Sequence, residues 1–315
     1  MTAKVLALSG GVGGAKLALG LARVLPADDL VIVANTADDF EHFGLYIAPD
    51  LDTVMYTLAE RSDQERGWGL AGESWHCLEA MAELGGESWF RLGDRDLATH
   101  LRRSQLLREG RSLAEATAEL CQALGVSQRL LPMSNEPVRT VVATDDGELS
   151  FQHYFVREQC RPVVRGFRFE GIERARPLPD FEALLAAPDL AAVVICPSNP
   201  FVSVDPIISM PGVRDALAAC AAPVVAVSPI VGGNALKGPA AKMLGELGYP
   251  VGADSVAGYY AGLVDIFVLD QQDAKLADQI NVPGMDIAAT ATVMHTLEDR
   301  KQLADAVLDL AGVPR

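Results

Sequence analysis

Four carboxylates crowd two short polar segments that follow hydrophobic runs. Asp38 and Asp39 close the segment Asn35-Thr36-Ala37-Asp38-Asp39, and Asp50 and Asp52 belong to Pro49-Asp50-Leu51-Asp52-Thr53, eleven residues further on. Clustered oxygen ligands suit a hard cation such as magnesium, which bridges protein carboxylates and phosphates. The same residues are equally compatible with Asp50 capping the helix that follows while the others are solvated. Both readings stand at this point.

Glycine-rich and proline-rich loops form a second set of candidates. Ser9-Gly10-Gly11-Val12-Gly13-Gly14 follows the first apolar run and precedes a helical pattern. Glycines let a backbone approach a phosphate, and a helix start offers free N–H groups and a positive dipole end. The loop is no Walker A motif, because Lys16 is followed by Leu17 rather than Ser or Thr; Gly11 and Gly13 fit a dinucleotide fingerprint, but its last position is Lys16. Cys196-Pro197-Ser198-Asn199-Pro200 and Ser228-Pro229-Ile230-Val231-Gly232-Gly233-Asn234-Ala235-Leu236-Lys237-Gly238-Pro239 are two more polar loops directly after apolar runs. Lys237 there is a candidate phosphate partner. Trp89-Phe90-Arg91-Leu92-Gly93-Asp94-Arg95-Asp96 mixes aromatic and charged groups, as a wall for a flat heteroaromatic ligand would; packing rings and a capping Asp94 explain it as well. The five histidines form no ligand-like cluster, and neither a nucleophile elbow nor a Ser–His–Asp order is present.

The elements that must position these residues alternate. Lys4–Ser9 reads as a strand, Ala15–Leu25 as a helix and Leu30–Ala34 as a second strand, a βαβ opening. Residues about 72–125 carry only helical patterns, with Ser112 and Glu115 at capping-box spacing, and read as a helical insertion. Residues about 138–156 read as a β-hairpin turning at Asp145-Asp146-Gly147, with strands Val138–Thr144 and Leu149–Val156. Strand-like runs return at 163–169, 191–196, 223–228, 264–269 and 285–289, and a final helix covers 297–310. The expected fold is a single α/β domain over 1–315, with a doubly wound, mostly parallel sheet. Ligands in such sheets sit beyond the carboxyl ends of the strands.

Composition narrows the partners. The chain has 315 residues, 50% of them hydrophobic and 6% aromatic, and a formal net charge of -16. That charge argues against nucleic acid as the main partner. No apolar run spans a bilayer, and Met1-Thr2-Ala3-Lys4 leads straight into a strand-like segment, so no membrane contact and a cytoplasmic location are expected. The five cysteines lack any Cys-x-x-Cys pair and read as inert thiols.

Taken together and in order, the Gly10–Leu17 loop, Asn35–Asp39, Gly44–Ile47, Pro49–Thr53, Leu92–Asp96, Ser134–Thr140, Ser198–Pro200 and the 232–239 loop closely resemble the 2-phospho-L-lactate transferase family of coenzyme F-420 biosynthesis. The likeness spans nearly the whole chain. It implies a Rossmann-like core with a helical insertion, a homodimer, magnesium dependence, a donor of guanosine diphosphate linked to a three-carbon acid, and the deazaflavin alcohol Fo as acceptor. By motif, Gly10, Gly11, Gly13, Lys16, Ser198, Asn199, Pro200, Gly232, Gly233 and Lys237 would hold the guanosine diphosphate portion. Asp38, Asp39, Asp50 and Asp52 would serve the metal, with Asp50 and Asp52 catalytic. Asp50, Asp94 and Arg95 would face the acceptor.

Two other classes compete. A nicotinamide-dependent oxidoreductase would place Gly11 and Gly13 under a pyrophosphate and Asp38 on a ribose, but the altered fingerprint and extra loops disfavour it. A related family, the gluconeogenesis factors, is similar in the Gly-rich loop and the Asn-x-x-Asp-Asp segment and is thought to bind nucleotide sugars in a regulatory role; the Pro49–Thr53 and Gly93–Asp96 motifs and the helical insertion favour the transferase.

Overall fold

The protein was analysed as a computed structural model that describes residues 4–236 and 238–314; Lys237 therefore lies outside the described residues. Seven strands form one sheet: β1 (Lys4–Ser9), β2 (Leu30–Ala34), β3 (Arg129–Pro132), β4 (Leu190–Ile195), β5 (Val224–Val227), β6 (Ile266–Asp270) and β7 (Asp286–Thr290). Their order is β7-β6-β5-β4-β1-β2-β3, and every pairing is parallel. The chain runs outward from β1 to β3, then returns to the other side of β1 and runs outward again. The order therefore reverses between β1 and β4, and the crevice at their carboxyl ends is the expected ligand position.

Both sheet faces are covered, which explains the near-continuous apolar strands. Along β1, Val5 and Ala7 face one core with Leu17 and Leu21 of helix α1 (Gly11–Val24) and with Leu303 and Val307 of the last helix, residues 297–310. Leu6 and Leu8 face the opposite core with Val193, Phe181 and Phe267. The alternation is the two-residue period of a strand, here with both sides buried. Helix α1 ends before Pro26, and helix α2 (Pro49–Leu58) starts with Pro49 at its first position, where a missing N–H costs nothing.

Helices α3 (His76–Glu83), α4 (Asp94–Arg108) and α5 (Leu113–Leu124) lie between α2 and β3, and Ser112 and Glu115 form a complete capping box at the start of α5. A three-stranded antiparallel sheet is made of 147–150, 139–144 and 164–170. The expected hairpin strand Leu149–Val156 is corrected here: it ends at Ser150, and residues 151–157 are helical. The reason is spacing, since Phe151 and Phe155 stack at 5.4 Å one helical turn apart, while Tyr154 is buried. Three strand features escaped the sequence reading: β3, the hairpin of 40–42 with 45–47, and the two-residue hairpin of 230–231 with 234–235. No described helix is long and apolar enough to cross a membrane.

Candidate functional site

Two loops are latched together at the switch point. Ser198, after β4, accepts from Gly10 N–H at 3.1 Å and donates its hydroxyl to Gly10 O at 2.7 Å. A Cβ on Gly13 would lie 2.2 Å from Pro197 O, and one on Gly10 would lie 2.6 Å from Ser203 Cβ. These glycines are thus required by the approach of the β4 loop. Gly10 caps α1 without a side chain, and Gly11 has φ +62°. First-turn amides of a helix have no intrahelical partner, and Gly11, Val12 and Gly13 line the main cavity.

Asp50 reaches this helix start from α2. Its Oδ1 accepts from Gly11 N–H at 2.8 Å and its Oδ2 from Asn35 Nδ2 at 3.0 Å. Asn35 also donates to Val202 O and accepts from Ala37 N–H, so one amide ties β2, α2 and the turn after Asn199. Burial pushes the Asp50 carboxyl up to about 6, against the hydrogen bonds from Asn35 and Gly11. Asp38, beside it, is raised well above the ordinary carboxylate range, by burial first and by the Asp50 charge second. Its buried Oδ1 has no hydrogen-bond partner among the described residues.

The other two carboxylates are held by other partners, although Asp52 also lines the main cavity. Asp52 is clamped by Arg103, which is fully buried and donates through both terminal nitrogens, one of them at 3.0 Å. Burial works against the Arg103 charge, but Asp52 outweighs it and the guanidinium pKa is raised. His100 lies between Asp52 and Asp96, and Tyr56 donates to Asp96 at 2.7 Å. Asp39 accepts from Tyr46 OH at 2.9 Å and lines a second, smaller cavity of about 350 Å³ with Arg139 and Thr140. Burial raises its pKa, with Arg139 opposing. The described residues hold no cluster of three His, Cys, Asp or Glu side chains fit for a metal ion.

The main cavity measures about 880 Å³ and is lined by two kinds of group. The polar and backbone-rich lining comes from the Gly10–Gly13 loop, Lys16, Ser198, Asn199 and Thr292–His295, and the aromatic lining from Trp68, Trp89, Phe90, Phe151 and Phe155. Lys16 Nζ donates to Met294 O at 2.8 Å. Trp89 packs edge-on to His153 at 4.9 Å, and Phe40 to Phe90 at 4.8 Å. Asn199 Oδ1 accepts from Phe201 N–H, while Pro200 is buried in the turn it opens.

Several sequence candidates sit elsewhere. Gly232 and Gly233 form a hairpin turn with φ +57° and +74°, and Gly232 N–H donates to Asp273; Val231, Leu236 and Gly238 line the cavity in their stead. Asp94 caps the neighbouring helix α3, accepting from the Ser74 hydroxyl at 2.6 Å and from the amides of His76 and Cys77. Glu73 in return accepts from the amides of Arg95 and Asp96 at the start of α4. Arg95 is exposed, donates to Ala71 O, and is absent from the cavity lining. Arg66, Trp68, Arg103 and the 292–295 segment escaped the sequence reading, while Arg91 was part of the Trp89–Asp96 segment but not singled out. A signal for Arg66 and Trp68 was present in the glycine-flanked Arg66-Gly67-Trp68-Gly69.

A doubly wound parallel sheet with a glycine-lined helix start and a cavity at its switch point places the chain in the class of doubly wound α/β proteins. The chain belongs to the family described as 2-phospho-L-lactate transferase CofD, which matches residues 5–305. It is 38% identical over 304 residues to a 2-phospho-L-lactate transferase of Methanosarcina mazei, covering 96% of this chain and 99% of that one. It is 40% identical over 315 residues to a phosphoenolpyruvate transferase of Kitasatospora aureofaciens, covering 98% of each. A solved structure of a UPF0052 family protein from Bacillus halodurans superposes with a TM-score of 0.65 at 16% identity, covering 98% of this chain and 99% of that one, which speaks to the fold alone.

Proposed function

We propose that the protein moves a phospho-acid group from a guanosine-diphosphate-linked donor to the deazaflavin alcohol Fo, releasing GMP and forming coenzyme F-420-0 or its dehydro form. The observation that supports this reading is one cavity lined both by the glycine-rich helix start and by a set of aromatic rings. Relatives called 2-phospho-L-lactate transferase and phosphoenolpyruvate transferase support the donor class, a three-carbon phospho-acid.

The first-turn amides of α1 and Lys16 hold and neutralise the phosphates. The rings of Trp89, Phe90 and Phe151 seat the flat acceptor. Asp50, pushed up to about 6, orients the terminal hydroxyl of the acceptor and takes its proton as the oxygen attacks the phosphorus bearing the acid. GMP leaves with the electron pair of the broken P–O bond. Such transfers depend mainly on positioning and charge stabilisation, so no covalent nucleophile is required.

Magnesium fits this site in reduced form. Asp39 faces the second cavity, and Asp52, though on the main cavity wall, is committed to Arg103, so of the four Asp38 and Asp50 are the candidates to hold the ion. The unpartnered buried Oδ1 of Asp38 and the raised pKa of both groups suit a cation completed by substrate phosphates, as magnesium usually is. The ion would supply charge neutralisation on the phosphates. A homodimer, which the family resemblance implies, is checked by sedimentation.

The deciding experiment is mass spectrometry of the product formed from purified protein, Fo, magnesium and guanosine-diphosphate-linked acids. A product of Fo plus the phospho-acid with equimolar GMP is expected. Tight nucleotide-sugar binding with no transfer would favour a regulatory role instead.

A further inference from the structure

Trp75 lies one residue before α3 and carries a guanidinium group from each of two segments. Arg91 Cζ is 4.3 Å from its ring centroid and Arg66 Cζ is 5.1 Å from it. Arg66 is also 5.4 Å from the Trp68 ring, which packs edge-on to Trp75 at 6.5 Å. Both arginines line the main cavity together with Gly11, Gly13 and Lys16. Neither belongs to the loops at the switch point.

The two differ in how they are held. Arg66 is fixed by Asp63 at 2.8 Å and by Leu70 O at 3.1 Å. Arg91 makes no hydrogen bond or ion pair among the described residues; its guanidinium is placed by stacking. Stacking occupies the face of a guanidinium and leaves the in-plane N–H edge open, and that edge matches a carboxylate two bonds at a time. In a chain of net charge -16, two cations on one indole at a cavity wall are a local reversal of sign. The lining also carries Asp38, Asp50, Asp52 and Asp96, so among the described residues Lys16, Arg66 and Arg91 are the Lys and Arg cations that an anionic substituent meets there, and Lys16 lies with the phosphate loop.

We propose that Arg91, with Arg66 beside it on Trp75, binds the carboxylate of the acid carried by the donor and thereby selects carboxylated donors. The proposal rests on the transferase reading above for the identity of the donor. A donor phosphate presents the same oxyanion chemistry, so the experiment separates the two.

Equilibrium binding without Fo is measured for three probes: the guanosine-diphosphate-linked acid, its carboxamide counterpart, and GDP. Wild type should prefer the acid over the carboxamide by roughly one to two decades, the range of a charge-assisted contact. Arg91→Ala should bind acid and carboxamide nearly equally, with GDP affinity close to wild type. Arg91→Lys should fall between, since an ammonium keeps the charge but loses the stacked fork. Trp75→Leu should lower the acid preference while leaving both arginines in place. The proposal is overturned if wild type shows no acid preference or if Arg91→Ala keeps it. It is also overturned if GDP affinity falls as much as acid affinity, which would assign the arginine to phosphate. Transfer to Fo is assayed on the same preparations. Selective acid binding with no transfer would defeat the transferase reading and leave the clamp standing.

Discussion

Asp50 Oδ1 accepts from the Gly11 amide at 2.8 Å, so a carboxylate from the first turn of α2 sits on the open start of α1. The helix dipole favours a negative charge there. Burial disfavours it more, and the carboxyl titrates at about 6. A group poised near neutrality, touching the amides that would meet a phosphate, is placed to change charge during turnover.

That balance gives a pH dependence with a definite sign. The folded-state pKa of Asp50, about 6, lies above its ordinary value of 3.8, so the proton is held more tightly in the fold than in the unfolded chain. The resulting stabilisation is complete below about pH 4 and lost as pH rises through about 6. Asp50→Asn removes the titration. In metal-free buffer the stability of the variant relative to wild type should therefore increase from about pH 4 to about pH 8, by at most about 3 kcal/mol. Urea melts across that range read the slope; a difference independent of pH would remove Asp50 from this role. Turnover should fall by at least about two decades in the same variant, and wild-type kcat/KM should drop below about pH 6.

The two glycines at the helix start should fail differently. Gly13→Ala puts a methyl 2.2 Å from Pro197 O, a backbone atom that cannot rotate away. Overpacking there should cost about 1–3 kcal/mol and shift the β4 loop. Gly11→Ala meets nothing closer than Asp50 Oδ1 at 3.9 Å, but it must hold φ +62°. Its cost should be about 1–2 kcal/mol, from the left-handed backbone alone. Thermal melts and GDP calorimetry on both variants separate the cases: Gly13→Ala should lose GDP affinity in step with local structure, and Gly11→Ala should keep most of it.

The Asp52–Arg103 pair predicts a stability loss with a rescue. Arg103→Leu leaves the Asp52 carboxylate buried without its partner, at a cost of about 3–5 kcal/mol. Adding Asp52→Asn to the same chain should recover much of that loss, because no isolated charge then remains. Chemical denaturation of the two single variants and the double variant makes the cycle. Additive losses would mean that the pair is not coupled.

How much of this was legible follows from the physics of each feature. The β1–α1–β2 opening and the last helix were readable because apolar period and length coincide there. The second hairpin strand was misread because Phe151 and Phe155 are four residues apart, a spacing that a short window does not separate from a strand of large residues. Strand β3 is only Arg129–Pro132 and ends in proline, so it carried almost no periodic signal. In the site, Asp38, Asp50 and the glycine loop were visible as strand-end motifs. The commitment of Asp52 to Arg103 was not, since it joins residues 51 apart on different helices. Arg91 was in plain view near Arg95, but Arg91 lies in the loop before α4 and stacks on Trp75, while Arg95 sits in the first turn of α4 and bonds to Ala71 O.

Asp94 and Arg95 provide the last test, because the family resemblance implied both at the acceptor and the structure places neither on the cavity wall. Asp94 caps α3 through the Ser74 hydroxyl and the amides of His76 and Cys77, and these bonds, the Ser74 one foremost, hold its pKa below the ordinary value. A depressed carboxylate contributes stability that is present above its unfolded pKa and lost as pH falls through the folded one. The contact should therefore weaken on acidification, the opposite sense to Asp50. Asp94→Ala should speed hydrogen exchange at His76 and Cys77 near neutral pH, because the helix start loses its acceptor. Fo and GDP affinities should stay close to wild type. Arg95→Ala removes an exposed side chain whose one hydrogen bond among the described residues is to Ala71 O, and both affinities should again change by no more than about twofold, the range of an ordinary surface substitution. Fluorescence titration with Fo and calorimetry with GDP on each variant decide the matter. A selective loss of Fo binding in Arg95→Ala would return that residue to the acceptor site and require the segment from Glu73 to Asp96 to move when the acceptor binds.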